Sequence, residues 1–116
     1  MSLQVKRVYD EPAKSDGDRV LVDRLWPRGL KKSDAQLHEW LKDIAPSTTL
    51  RKSFGHAPSR WKEFKNRYWA ELDDRRDQVE KLARHSRRRT VTLLFGARDT
   101  KYNNAMALRE YIEQLK

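Results

Sequence analysis

Residues 19–29, Arg-Val-Leu-Val-Asp-Arg-Leu-Trp-Pro-Arg-Gly, restrict the fold of this chain more than any other segment. The apolar run at 20–22 is typical of a buried strand. The run stops at Asp23, and further along Pro27 disfavours helical angles in the residue before it. The segment therefore predicts a strand over residues 19–25 that ends in a rigid, charged loop at the protein surface.

Two more strands are predicted, over residues 4–9 and 90–97. All three predicted strands end in polar or charged residues, namely Tyr9 and Asp10, Asp23 and Arg24, and Arg98 and Asp99. Parallel strands bring their carboxyl ends to one edge of a sheet, where open α/β sheets bind ligands. The nine-residue link over 10–18 would by itself indicate a hairpin, but the shared polar ends favour parallel strands.

Helices are predicted between and after the strands. Ser33 and Gln36 have the spacing of a capping box, and the apolar positions that follow predict a helix over 33–44. Further helices are predicted over 47–57, over 58–84 with a kink or break at 73–77, and after residue 104. This order of elements predicts a single α/β domain over residues 1–116, with a small three-stranded, mainly parallel sheet flanked by helices.

The composition restricts the class of protein. A chain of 116 residues suffices for one hydrophobic core, and no apolar run approaches the ~20 residues that span a bilayer. There is no cysteine, so disulfides and thiolate chemistry are excluded. The N-terminal sequence lacks the apolar stretch of a signal peptide, so we expect a cytoplasmic protein with no membrane partner.

Arg24 and Arg28 are the strongest candidates for ligand binding. A guanidinium donates forked hydrogen bonds that match the oxygens of a carboxylate or phosphate, so two arginines on one rigid loop can hold an anionic small molecule or nucleotide. Alternatively, each arginine pairs with an acidic residue, Asp23 or Asp99, and only links one loop to another.

Asp23, Asp99 and His56 are weak candidates for catalysis. A neighbouring cation lowers the pKa of a carboxyl group and makes it a weaker base, so an orienting role is the better hypothesis for Asp23. Asp99 has the same two alternatives, or it closes its loop by accepting hydrogen bonds from backbone amides. His56 can serve acid–base chemistry or be an ordinary surface histidine. Further candidates for the same ligand site are Tyr9, Arg51, Asn103 and Asn104; either asparagine also fits a helix cap.

A basic stretch supports an alternative function. The net charge is +9, and residues 60–89 hold 11 basic and 6 acidic side chains, an excess of +5. The arginines there that could contact nucleic acid are Arg75, Arg76, Arg84, Arg87, Arg88 and Arg89. They predict sequence-independent, salt-dependent nucleic-acid binding, although a solvated helix face explains the same charges.

No metal site and no cofactor are predicted. His38, His56 and His85 are far apart in the sequence, and without cysteine this pattern argues against a dedicated metal site. Neither a glycine-rich phosphate loop nor a nucleophile elbow occurs. Enzyme activity and oligomeric state are left undecided by the sequence.

Several stretches spread along the whole chain form a recognisable pattern, namely residues 6–10, 16–17, 19–29, 40–42, 44–47, 50–52, 54–56, 92–94, 99 and 103–105. In these stretches the chain resembles the YeaO-like branch of a large bacterial family, domain of unknown function 488. The family pattern has Asn-His-Ala where this chain has Asn103, Asn104 and Ala105, so any acid or base role of that histidine is vacant here. The resemblance implies whole-chain homology and a shared fold, and it implies no established activity.

Overall fold

The sheet has four strands, all parallel, in the computed structural model, which describes residues 2–115. The strands are β1 (Leu3–Arg7), β2 (Asp18–Leu21), β3 (Glu39–Trp40) and β4 (Val91–Phe95), in the spatial order β1-β4-β2-β3. The prediction of an α/β fold is confirmed, whereas the prediction of only three strands is wrong. Because β4 lies between β1 and β2, the link between those two strands joins non-neighbours and makes no hairpin.

The fourth strand, β3, lies inside the segment that was predicted to be one helix over 33–44. Helix α1 (Lys32–Ala35) has only four residues and ends at Gln36, whose φ is 48°. The apolar side chains that follow serve two different cores: Trp40 packs against one hydrophobic cluster and Leu41 against another. A helix would present these side chains on one face, whereas adjacent residues of a strand point to opposite faces. The prediction mistook this alternation for a helical stripe.

Four longer helices follow β3. They are α2 (Thr48–Phe54), α3 (Trp61–Asp73), α4 (Arg76–Arg88) and α5 (Asn104–Gln114). The predicted long helix is therefore two helices, which meet at Asp74 and Arg75 within the charged stretch where a kink or break was expected. Within residues 2–115, no helix combines the length and the apolar composition that crossing a bilayer requires.

The two faces of the sheet are covered differently. Side chains alternate along β4, so Leu93 belongs to a large cluster that includes the apolar faces of α2 to α5, while Leu94 belongs to a small cluster on the other face. The partly buried side chains that cover this small cluster are Trp26, Leu30, Leu37 and Trp40. Helices α2 to α5 thus pack on one face, and the irregular segment after β2 covers the other.

Candidate functional site

A cavity of about 470 Å³ lies at the carboxyl ends of β2 and β4. We call it the cleft; the charged and amide side chains that line it are Asp23, Arg24, Arg51, Lys52, His56, Asn103 and Asn104. They come from the segment after β2, from α2 and its end, and from the start of α5. The parallel sheet therefore brings together groups that are up to 81 residues apart in sequence, as in the hydrogen bond between Asn104 and Asp23.

Asp23 is held by neutral hydrogen-bond donors. Its Oδ2 accepts from the backbone N–H of Gly96 at 2.8 Å, and its Oδ1 accepts from Asn104 Nδ2 at 3.0 Å. Burial raises the pKa of Asp23, and these two hydrogen bonds and the charges of Arg51 and His56 oppose the rise only in part. The expectation that a cation would leave Asp23 with a lowered pKa is wrong, because burial outweighs the nearby charges. Among residues 2–115, no arginine makes an ion pair with the Asp23 carboxylate.

Arg24 lines the cleft, but its guanidinium donates its hydrogen bonds to backbone carbonyls. Its Nε donates to the carbonyl of Pro46 at 3.1 Å and its Nη2 to the carbonyl of Ala45 at 3.0 Å. Neither acidic residue that was expected as its alternative partner, Asp23 or Asp99, pairs with it. Arg24 therefore fixes the segment that leads into α2 against the end of β2.

Arg28 and Tyr9 lie outside the residues that line the cleft. The side chain of Arg28 is exposed, and its backbone carbonyl accepts a hydrogen bond from the Tyr9 hydroxyl at 2.7 Å. Arg7 lies over the Tyr9 ring, with its guanidinium carbon 5.1 Å from the ring centroid. The structure thus separates Arg24 from Arg28, which the sequence had grouped.

The cationic wall of the cleft comes from α2. Ser47 caps this helix, because its hydroxyl oxygen accepts from the Leu50 N–H at 3.2 Å, and the same hydroxyl donates to Glu71 Oε2 on α3 at 2.6 Å. The cap orients the last turn, where Arg51 and Lys52 lie. Within residues 2–115 the Arg51 guanidinium makes neither an ion pair nor a hydrogen bond to another side chain or the backbone. Lys52 was not among the predicted site residues, although it adjoins Arg51 in sequence.

His56 follows α2 and adopts a φ of 57°, in the left-handed region. Few residues other than glycine adopt this conformation, and histidine is among those enriched there. Its ring lies 6.3 Å from that of Phe54, centroid to centroid. The backbone conformation therefore places an exposed imidazole at the rim of the cleft.

The loop between β4 and α5 is closed by its own side chains. Asp99 Oδ1 accepts from the backbone N–H groups of Tyr102 and Lys101 at 2.9 and 2.8 Å, and these hydrogen bonds lower the pKa of Asp99. Asn103 Oδ1 accepts from the Met106 N–H at 2.9 Å and so caps α5. Asn104 Nδ2 donates to both the Val22 carbonyl and Asp23. These contacts match the loop-closing and capping alternatives for Asp99 and Asn103.

A second, larger concave surface lies between β3 and α4. This basic groove has a volume of about 880 Å³, and the cations that line it are Lys42, Lys81, Arg84, Arg88 and Arg89. Trp40 and Leu82 contribute apolar surface. Of the arginines predicted for nucleic acid, Arg75 and Arg76 lie instead at the junction of α3 and α4, where Arg76 pairs with Glu80 at 2.9 Å.

Two histidines that are 47 residues apart in the chain come together at the opposite end of β2 from the cleft. His85 Nε2 lies 2.7 Å from Asp18 Oδ2, and His38 Nδ1 lies 3.9 Å from Asp18 Oδ1. Sequence reasoning missed this cluster because it looked for ligand spacing within one element. The pairing of the unexpected strand β3 with β2 is what brings His38 to Asp18.

Comparisons with known proteins give relatives along the whole chain. Residues 2–116 match a family model described as the inactive DUF488-N3 subclade. The chain is 44% identical to the uncharacterised Escherichia coli protein YeaO over 99% of its own length and 100% of the relative's. It is 39% identical to the uncharacterised Mycobacterium tuberculosis protein Rv3073c, covering 95% of the chain and 92% of the relative. No solved structure matches the chain.

Proposed function

The chain belongs to the DUF488 family, in the subclade described as inactive, and from this premise we propose that it binds a small anionic ligand in the cleft without transforming it. The observation that carries the proposal is the Arg51 guanidinium at the cleft wall, which has no partner among the described residues. The ligand class we favour is a phosphorylated or carboxylated small molecule, including a nucleotide.

Three cationic or titratable groups support binding of an anion. Arg51, Lys52 and His56 line one wall of the cleft, and a guanidinium provides forked donors that fit phosphate or carboxylate oxygens. The amino end of α5 lies at the same cavity, where Asn103 and Asn104 line it, and helix amino ends favour negative charge. The proposal thus moves the cationic role from Arg28, outside the cleft, to α2 and its end.

The size and lining of the cleft support a ligand larger than a single ion. Its volume of about 470 Å³ falls within the range of about 300–1,000 Å³ that is typical of small-molecule sites. Phe54, Phe64 and Tyr102 contribute aromatic surface. Asp23, at the base, retains acceptor capacity for a hydroxyl or amino group of the ligand, since each of its oxygens receives only one hydrogen bond.

The side chains that line the cleft supply few groups for catalysis. No serine, threonine or cysteine is among the described residues that line it. Asp23 is anchored by Gly96 and Asn104, and the position at which the family pattern has a histidine holds Asn104, whose amide nitrogen donates to the Val22 carbonyl at 2.9 Å. The description of the subclade as inactive agrees with a cleft that binds and does not react.

A thermal-shift screen tests the proposal. Inorganic phosphate, nucleoside monophosphates and sugar phosphates are titrated at constant ionic strength against wild type, Arg51→Ala and Arg28→Ala. We expect at least one compound to raise the Tm of the wild type, because ligand binding stabilises the native state by mass action. Arg51→Ala should bind this compound at least about tenfold more weakly, equivalent to about 1.4 kcal/mol.

Arg28→Ala is the matched control, because it removes the same charge from outside the cleft. It should keep the wild-type affinity. Equal affinity of Arg51→Ala and wild type, or the absence of any stabilising compound, contradicts the proposal. Turnover of the bound compound in the same samples contradicts its non-catalytic part.

The basic groove supports a second candidate function, sequence-independent binding of nucleic acid. Arg84, Arg88 and Arg89 line it together with Lys42 and Lys81, and such cations can contact successive phosphates. Among the described residues that line the groove, the aromatic rings are the indole of Trp40 and the imidazole of His85, so phosphate contacts would provide most of the affinity.

Fluorescence titrations of labelled DNA and RNA at two salt concentrations test this second candidate. Binding should weaken steeply with salt, and the double variant Arg84→Ala, Arg88→Ala should reduce the salt slope by about 2, since each phosphate contact contributes about 0.9. The double variant Arg75→Ala, Arg76→Ala removes equal charge outside the groove and should have little effect. An absence of binding at low salt rejects this candidate.

A further inference from the structure

We propose that Asp18, His38 and His85 form a binding site for a divalent transition-metal ion such as Zn²⁺ or Ni²⁺. The three residues come from three elements: Asp18 begins β2, His38 immediately precedes β3, and His85 lies in the last turn of α4. They lie at the amino ends of the strands, so this site is separate from the cleft and from its proposed ligand.

The ligand atoms already lie close together. Asp18 Oδ2 is 2.7 Å from His85 Nε2, and Asp18 Oδ1 is 3.9 Å from His38 Nδ1. With one ligand atom taken from each residue, the three atoms lie within 4.8 Å of one another. Ligand bonds of about 2.0–2.2 Å to Zn²⁺ place neighbouring donors roughly 3.0–3.6 Å apart. The ion can therefore be held after side-chain shifts of about 1 Å, without movement of the sheet.

The cluster is held on one side and open on the other. The backbone N–H of His38 donates to the Arg19 carbonyl at 2.7 Å, which fixes the chain beside β2. The His38 side chain is 50% exposed, whereas Asp18 and His85 are 15% and 23% exposed. His38 is thus free to rotate onto an ion that Asp18 and His85 have received, and solvent can complete the coordination.

The donor set selects the class of ion. Two imidazoles and one carboxylate suit zinc, nickel and copper, whereas magnesium and calcium prefer sites built from oxygen alone.

One neighbouring charge opposes the ion. Arg89 Nε lies 3.3 Å from Asp18 Oδ2, and its side chain is 71% exposed. A cation so close to the site repels a divalent ion, but the exposed side chain can swing into solvent. Arg89 therefore lowers the affinity of the site without blocking it, and removing its charge should strengthen binding.

Calorimetric titration of Zn²⁺ into the full-length chain, without a histidine tag, tests this proposal. We expect one ion per wild-type chain, no detectable binding of Mg²⁺, and at least a tenfold loss of Zn²⁺ affinity in both His38→Gln and His85→Gln. Arg89→Gln should bind Zn²⁺ several-fold more tightly than the wild type. His56→Gln removes the remaining histidine, outside the cluster, and should bind Zn²⁺ as the wild type does.

The His38→Gln variant keeps the test valid even if His85→Gln fails to fold. The His38 side chain is exposed, so its replacement should cost little packing. A second readout uses paramagnetic Co²⁺, which should broaden the imidazole NMR signals of His38 and His85 and leave that of His56 sharp. The proposal is rejected if the wild type binds no Zn²⁺, if His38→Gln binds it equally well, or if binding depends on His56.

Discussion

His56 has an unfavourable backbone conformation at the rim of the cleft. Its φ of 57° is one that glycine adopts at much lower cost. Residues in such conformations cluster at functional sites, where the strain is tolerated because the side chain is needed. The exposed imidazole of His56 contributes little to the core. We therefore expect it to contribute to ligand binding in the cleft.

His56→Gly should therefore stabilise the protein and weaken ligand binding. Relief of the left-handed strain should raise the free energy of unfolding by about 0.5–1 kcal/mol, as measured by urea denaturation, while phosphate affinity falls. Gln36→Gly is the matched control, because Gln36 also has a positive φ, of 48°, but lies outside the cleft. It should raise stability without changing phosphate affinity, and a loss of stability in His56→Gly would contradict the prediction.

Asp23 should give the protein an unusual dependence of stability on pH. Its pKa in the native state is raised above the ordinary value of 3.8 by burial. At a pH between the pKa of Asp23 in the unfolded chain and its higher pKa in the native state, the native state binds more protons than the unfolded chain. The contribution of Asp23 to the free energy of unfolding therefore falls as pH rises through this interval. The difference in stability between wild type and Asp23→Asn should follow this fall.

Asp99 provides the comparison of opposite sign. Its pKa is lowered by the backbone hydrogen bonds of Tyr102 and Lys101, so its contribution is present above its unfolded pKa and is lost as pH falls through its native pKa. Urea denaturation of wild type, Asp23→Asn and Asp99→Asn across the acidic range measures both slopes. Slopes of the same sign for the two variants would refute the assignment for Asp23.

Helix α2 connects the core to the cleft. Leu50 and Phe54 are buried on its inner side, while Arg51 and Lys52 line the cleft. Ser47 caps the helix and is held by Glu71, whose Oε1 accepts from the Ser47 N–H at 2.8 Å. The position of the cationic wall therefore depends on one cap and on one carboxylate of α3.

Ser47→Ala should loosen that wall. Loss of the cap should lower the free energy of unfolding by about 1 kcal/mol, and leaving Glu71 without its hydroxyl donor should add to the loss. Phosphate affinity should fall as well, because Arg51 then samples more orientations. Thr48→Ala, at the exposed next position, is the control; denaturation and phosphate titration of both variants measure the effects.

The helices and strands differ in how well the sequence predicts them. Every residue over 91–95 is buried, and the nearly consecutive apolar positions over 90–97 predicted that strand. The strand β3 has two residues, and Trp40 within it and Leu41 after it pack against two different cores that are unknown before the fold is known. The polar ends of the strands correctly indicated parallel strands. Arg51 reaches the cleft because α2 packs beside it, and the pattern of the strands contains no information about the position of that helix.

The molecule as a whole depends on its central strand. Leu93 of β4 pairs in register with Val5 on one side and Val20 on the other, and its side chain is fully buried. Tryptophan fluorescence reports on both faces of the sheet, because Trp40 packs against the small cluster and Trp61 against the large one. A destabilising substitution in β4 should therefore loosen the packing of both hydrophobic clusters.

Leu93→Ala should lower the free energy of unfolding by about 2–5 kcal/mol, the usual cost of a cavity at a fully buried leucine. Tryptophan fluorescence and far-UV circular dichroism should still give coincident urea transitions, as for a single cooperative unit. Met106→Ala, at a half-buried position of α5, should cost less. Two separate transitions would show that the two faces of the sheet unfold independently.

The position of β4 also has a consequence for biosynthesis. The ribosome releases β1 and β2 early, but the strand that pairs with both is made only after residue 90. Until then β1 has no hydrogen-bonded neighbour in the native order, and the apolar residues of β2 are covered on one edge only, by the two-residue β3. The nascent chain therefore exposes unpaired strand edges and apolar residues of β1 and β2 until β4 is made, and this interval of synthesis is the one in which aggregation is most favoured.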